Sequence, residues 1–212
     1  MSERAQTALT ALQIDGLREV ANIGAGNAAL SFSQLTGLDL RLELPSTDAI
    51  RAEHLPDLLG DPEHVWAAIY IPFHGEVFGR LLVLIRDEHA RLLLERLGLP
   101  IGAWSEMTEA HLSALAEAGN IAGSNYLAAL LGFTGLVMFP DPPMACVDMA
   151  AAIMGSVAAE VGLAQDECTV LGVELHHAPG DGPEGEFRML LLLLPDTDAL
   201  SAILERLGLE EL

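Results

Sequence analysis

Glu19 and Asn22 stand three residues apart, and Glu117 and Asn120 repeat that spacing in the second half of the chain. On a helix, residues at i and i+3 are neighbours on one face. Asp15 lies one turn before Glu19, and Ser113 takes the same place before Glu117. Each half therefore carries [Asp or Ser]-x-x-x-Glu-x-x-Asn along one ridge. The opposite faces carry Leu17, Val20 and Ile23, or Leu115, Ala118 and Ile121, which suit packing on a sheet. Such a ridge sets a fixed negative charge beside a neutral amide, and an amide both donates and accepts hydrogen bonds. Asn is a weak helix former, so its recurrence in mid-helix costs stability and points to a task. A single Glu and Asn would be read as an ordinary solvated face. The second copy at identical spacing makes the ridges candidate sites.

The ridges lie inside a longer repeat, the signature of a duplicated unit. Residues 15–45 align without gaps with residues 113–143, and Leu17, Asn27, Thr36, Gly37, Leu38 and Pro45 recur as Leu115, Asn125, Thr134, Gly135, Leu136 and Pro143. Leu94-Glu-Arg-Leu-Gly-Leu99 recurs as Leu204-Glu-Arg-Leu-Gly-Leu209 at a larger offset, so the second half has gained residues. Residues 178–185, rich in Gly and Pro, are the obvious insertion. The whole chain, 1–212, thus reads as one domain of two repeats, approximately 10–99 and 105–209.

Each repeat predicts the same elements. A long helix over 10–35 or 106–131 is followed by a short strand over 38–44 or 136–139. A second helix is expected over 47–59 or 145–161, then a strand pair over 65–73 and 80–85 or over 169–176 and 187–194. The turn at His74-Gly75-Glu76 suits a hairpin. A last helix, 87–97 or 196–207, ends at Gly98 or Gly208, where a left-handed backbone favours glycine. The runs 81–85 and 189–194 are apolar on both faces, as in a sheet covered on both sides. The fold class that follows is α/β: an internally duplicated α/β/α sandwich around a largely antiparallel sheet.

Composition narrows the function. Half the chain is hydrophobic, 51%, which excludes disorder and fibrous classes. Ten Arg, no Lys and 31 acidic residues give a net charge of -21, a field that repels nucleic acid and anionic membrane surfaces. The N-terminal residues carry no apolar stretch, so no secretory leader is expected and the cytoplasm is the expected compartment. The uncharged runs 20–38 and 118–140 contain Asn, Gly and Thr-Gly breaks and read as helix followed by strand, not as membrane spans. Cys146 and Cys168 read as small core hydrophobes. His176-His177 has no ligand cluster around it and reads as a chance surface pair. Gly24-Ala-Gly26 follows a helix start, not a strand, so it is no dinucleotide loop; these glycines suit close approach of the helix to a sheet or a partner. His111, whose counterpart is Gln13, is given no catalytic role.

Glu19-Val-Ala-Asn22-Ile-Gly-Ala-Gly-Asn27 and Glu117-Ala-Gly-Asn120-Ile-Ala-Gly-Ser-Asn125 resemble the two signature helices of the CheC family, phosphatases of the chemotaxis response regulator CheY. The resemblance runs through Pro142-Pro143 and the expected helix containing Asp148-Met149 to the C-terminal strands. Two active motifs fit CheC better than the related CheX, and the flagellar protein FliM has the fold without the Glu and Asn pair. The resemblance implies an enzyme that hydrolyses the aspartyl phosphate of CheY. It implies that Asn22 and Asn120 position the attacking water and that Glu19 and Glu117 dock the regulator through its active-site lysine. It implies no cofactor held by this chain, the Mg²⁺ being supplied by the regulator. The alternative is a non-catalytic adaptor for the receptor deamidase CheD or a flagellar-switch component.

Overall fold

The computed structural model describes residues 9–43, 45–177 and 186–210. The turn-rich insertion at 178–185 lies outside them. The elements run α1 (Ala11–Thr36), β1 (Arg41–Leu42), β2 (Ser46–Arg51), a 3-10 helix (Ala52–Leu59), β3 (Val65–Gly75), β4 (Gly79–Arg86) and α2 (Asp87–Arg96). The order then repeats with α3 (Glu109–Thr134), β5 (Met138–Pro140), β6 (Met144–Met149), α4 (Ala150–Ala164), β7 (Glu167–His177), β8 (Phe187–Pro195) and α5 (Thr197–Arg206).

The strands form one sheet in the order β1-β7-β8-β4-β3-β5, with β2 also on β7 and β6 also on β3. Every pairing is antiparallel. The two hairpins meet at β4 and β8, where Leu81 faces Leu193 and Val83 faces Leu191. The edge strands are exchanged: β1 and β2 of the first repeat pair with β7 of the second, and β5 and β6 of the second pair with β3 of the first.

Two cores cover the sheet, as strand alternation requires. Leu81, Val83 and Ile85 point into one, with α1, α2, α3 and α5 above them. Leu82 and Leu84 point into the other, under α4 and the 3-10 helix. On the second side Arg80, almost buried, bonds Glu160 Oε1 at 3.1 Å and Asp196 Oδ1 at 3.0 Å. It thereby ties α4 and the start of α5 to β4. Tyr70 donates to Glu160 in the same cluster, and burial, with that bond, pushes its phenol up to about 12.

Two expected helices begin late. Residues 46–51 and 144–149 are strands, and helix starts only at Ala52 and Ala150. Ser46–Arg51 pairs along β7, and Met144–Met149 pairs along β3, so sheet pairing overrides the local pattern. In the first repeat the following turn is a 3-10 helix containing Pro56, which cannot donate to a helical ladder. Cys146 stands exposed on β6, so only Cys168 is a core residue. His177 is buried and its Nδ1 lies 3.0 Å from the Asp39 carbonyl, while His176 is partly buried beside Glu43; the pair is not a surface pair.

The ends of the repeated helices are built alike. Thr36 donates to the Phe32 carbonyl and accepts from Leu38 N, and Thr134 does the same with Leu130 and Leu136. Gly37 and Gly135 follow in the left-handed region at φ 75° and 72°. Gly98 and Gly208 end α2 and α5 in the same way, at φ 79° and 69°.

Glycine also sets how close α1 comes to α3. A Cβ on Gly24 would lie 2.7 Å from the ring of Tyr126 on α3, whereas one on Gly26 meets nothing within 4 Å. The close approach expected of Gly24 is thus to a helix, not to the sheet. Gly24→Ala is expected to destabilise the protein by about 1–3 kcal/mol through overpacking. Gly26→Ala is expected to stabilise it by about 0.5–1 kcal/mol through helix propensity. Urea denaturation of both variants checks the pair.

Candidate functional site

The ridges occupy the outer side of the layer that α1 and α3 form over the sheet. Leu17 and Val20 of α1, and Leu115 and Ala118 of α3, are buried beneath. Ile23 and Ile121, expected on the same buried face, are half-buried at its margin. Asp15, Glu19, Asn22, Ser113 and Glu117 are exposed, and Asn120 is half-buried. The ridges lie on adjoining helices that touch at Gly24 and Tyr126.

The helix starts that aim the ridges use different residues for one task. In α1, Gln13 N donates to Thr10 Oγ1 at 3.3 Å, and Thr10 N donates to Gln13 Oε1 at 2.9 Å. In α3, Thr108 N donates to His111 Nδ1 at 3.0 Å. His111 and Gln13 are thus equivalent capping residues, which explains a His near the ridge without catalysis. Gln13 Nε2 also donates to the Leu209 carbonyl at 2.9 Å and ties the start of α1 to the end of the second repeat.

The four repeated asparagines separate into two kinds. Asn27 and Asn125 donate to the carbonyls of Ile23 and Ile121 at 3.0 and 2.8 Å, one turn back on their own helices. Within the described residues Asn22 and Asn120 make no such backbone bond. Among the described residues Glu19, Asn22 and Glu117 have no side-chain hydrogen bond or ion pair, and Asp15 meets Arg18 at 3.6 Å. Asn120 Oδ1 accepts a hydrogen bond from Ser124 Oγ at 3.2 Å. Each ridge therefore offers a carboxylate and an amide to an incoming molecule, side by side, from a rigid helix.

The apolar rims differ. Leu12 and Leu30 flank the first ridge with 67% and 60% of their surface exposed. Ala110 and Ala128 take those places on α3. Among the described residues no group of three or more His, Cys, Asp or Glu could hold a metal ion, and no helix is long and apolar enough to cross a membrane.

The chain is similar in sequence to a CheC protein and in fold to FliY and CheX proteins. It is 28% identical to CheY-P phosphatase CheC of Bacillus subtilis (strain 168) over 92% of this chain and 94% of that protein. Its fold matches the crystal structure of Thermotoga maritima FliY with a TM-score of 0.70 at 17% identity, over 96% of this chain and 100% of that one. It also matches the CheX-CheY-BeF3-Mg²⁺ complex from Borrelia burgdorferi, with a TM-score of 0.54 at 14% identity over 84% of this chain and 99% of that one. No family model matches.

The outward groups do not hold the fold. Asn22→Ala with Asn120→Ala, or Glu19→Ala with Glu117→Ala, is expected to leave the unfolding free energy within about 0.5 kcal/mol per substitution. Thr134→Ala, which strands the buried Leu136 N–H, is expected to cost about 1–3 kcal/mol. Chemical denaturation of the three variants beside the wild type makes the comparison.

Proposed function

We propose that the chain is a phosphatase of the phosphorylated chemotaxis response regulator CheY, with one site on α1 and one on α3. The observation that carries this reading is the pair of outward ridges, Glu19 with Asn22 and Glu117 with Asn120, whose carboxylates and amides tie no element of the fold to another. The name of the Bacillus relative and the CheX–CheY assembly among the structural neighbours support the choice of partner.

An aspartyl phosphate is an acyl phosphate, so the regulator brings its own electrophile and leaving group. Little remains beyond placing a water in line with the phosphorus, which is catalysis by positioning. Asn22 or Asn120 holds that water. A neutral amide suits the place because it donates and accepts at once, whereas a carboxylate there would repel the phosphoryl oxygens. The water oxygen bonds to phosphorus, the bond from phosphorus to the aspartyl oxygen breaks, and the carboxylate and inorganic phosphate leave with one proton released. Glu19 or Glu117 pairs with the regulator's active-site lysine and sets the register of docking.

One carboxylate and one amide per ridge are fewer oxygen ligands than a hard cation takes, which supports Mg²⁺ arriving with the regulator. The net charge of -21 favours a partner surface that is locally basic. Under this reading the chain works in the cytoplasm, and neither nucleic acid nor membrane is its partner. An adaptor for CheD, the alternative, has no use for the two amides.

Either Asn22→Ala or Asn120→Ala alone is expected to leave part of the activity. The double substitution is expected to lower phosphate release from phosphorylated CheY by about 10²- to 10³-fold, the usual effect of losing one positioned polar group at each site. A well-folded single variant without any activity would contradict two working sites.

Roles divide as well. Single-turnover rates at saturating phosphatase are expected to fall in the Asn22/Asn120 double variant. The Glu19/Glu117 double variant is expected to need more protein for half-saturation while keeping its limiting rate. Equal losses of limiting rate in both would remove the division.

A further inference from the structure

The two ridges differ at one position that touches the amide. Ser124 stands one helical turn after Asn120, and its Oγ donates to Asn120 Oδ1 at 3.2 Å. The corresponding residue after Asn22 is Gly26, which has no side chain to offer. Other helical serines behave differently. Ser31, Ser156 and Ser201 donate to backbone carbonyls three or four residues back, at 2.9, 2.9 and 3.1 Å. Ser124 bonds a side chain instead, and that side chain is the amide of the second ridge.

An amide oxygen accepts two hydrogen bonds. With one taken by Ser124, Asn120 keeps its second oxygen lone pair and both N–H groups for an incoming molecule, and its rotation is restricted. Asn22 has no such restraint among the described residues and must lose its rotational freedom when the complex forms. Preorganised groups contribute more to a transition state than groups ordered during the reaction.

We infer that Ser124 is a positioning residue, which holds the Asn120 amide for the attacking water and makes the α3 site turn over faster than the α1 site. The inference rests on the phosphatase reading of the ridges. Gly26 offers the converse experiment, because a Cβ there meets nothing within 4 Å and a serine can be introduced without a clash.

Each site is isolated by silencing the other, and single-turnover dephosphorylation of phosphorylated CheY is followed as the phosphatase concentration is raised. With Asn22→Ala in place, adding Ser124→Ala is expected to lower the limiting rate about three- to tenfold, the size expected for one neutral hydrogen bond. The half-saturating concentration is expected to stay within about twofold, since Ser124 acts on the amide and not on docking. Ser124→Thr, which keeps the hydroxyl, is expected to restore the rate. With Asn120→Ala in place, Gly26→Ser is expected to raise the limiting rate of the α1 site, and Gly26→Ala is not. The inference is overturned if Ser124→Ala changes only the half-saturating concentration, if it changes nothing, or if Gly26→Ala accelerates as much as Gly26→Ser. A wild-type chain without phosphatase activity would overturn the phosphatase reading itself, and this inference with it. An active wild type with an indifferent Ser124→Ala removes the role of Ser124 alone.

Discussion

The approach of α1 to α3 at Gly24 and Tyr126 is the constraint on which the rest of the structure depends. Tyr126 is fully buried, and its ring occupies the space that any side chain at position 24 would need. That contact seats two 26-residue helices side by side in one layer. Gly119 and Gly123 complete the seating from below, where a Cβ would meet Ile69 at 2.6 Å and Ile71 at 2.4 Å. With their inner sides committed to the sheet and to each other, both helices present only their outer sides to solvent. Glu19, Asn22, Glu117 and Asn120 lie there. Residues with no part in the proposed chemistry therefore decide where the ridge groups sit.

The exchange of edge strands locks this arrangement. β1 follows α1 directly, yet it pairs with β7 of the other repeat; β5 follows α3 and pairs with β3 of the first. Each repeat completes the sheet of its twin, so the halves share one hydrogen-bonded framework. The ridges inherit that framework. The start of α1 is held by Gln13 bonding to Leu209, at the far end of the chain. A rigid helix anchored at both ends is a precise support for groups that act by position alone.

Much of this was legible in the sequence, for physical reasons. The repeat exposed the long helices, the hairpin strands and their apolar faces, because a duplicated core must preserve burial in both copies. The cap glycines 98 and 208 were legible because a left-handed residue leaves few alternatives. The strands at 46–51 and 144–149 were not. Their helix-like local pattern hides a partner more than a hundred residues away in one case and about eighty in the other. Gly24 was singled out, but its contact with Tyr126 depends on how two helices cross, which spacing does not encode. The ridges were legible only through their second copy. Ser124 was hidden, since a repeat draws attention to what is shared, and here the difference between Ser124 and Gly26 carries the signal.

Catalytic ridges and merely adhesive ones are separated directly by one measurement. Phosphorylated CheY with its Mg²⁺ is mixed with a trace of this chain, at about one part in a hundred, and inorganic phosphate is followed in time. Multiple turnovers are predicted: phosphate release in large excess over the chain present, at a rate proportional to its concentration. Release at the spontaneous rate, or slower release through stoichiometric protection of the phosphorylated regulator, would contradict the account and leave a binding protein in its place.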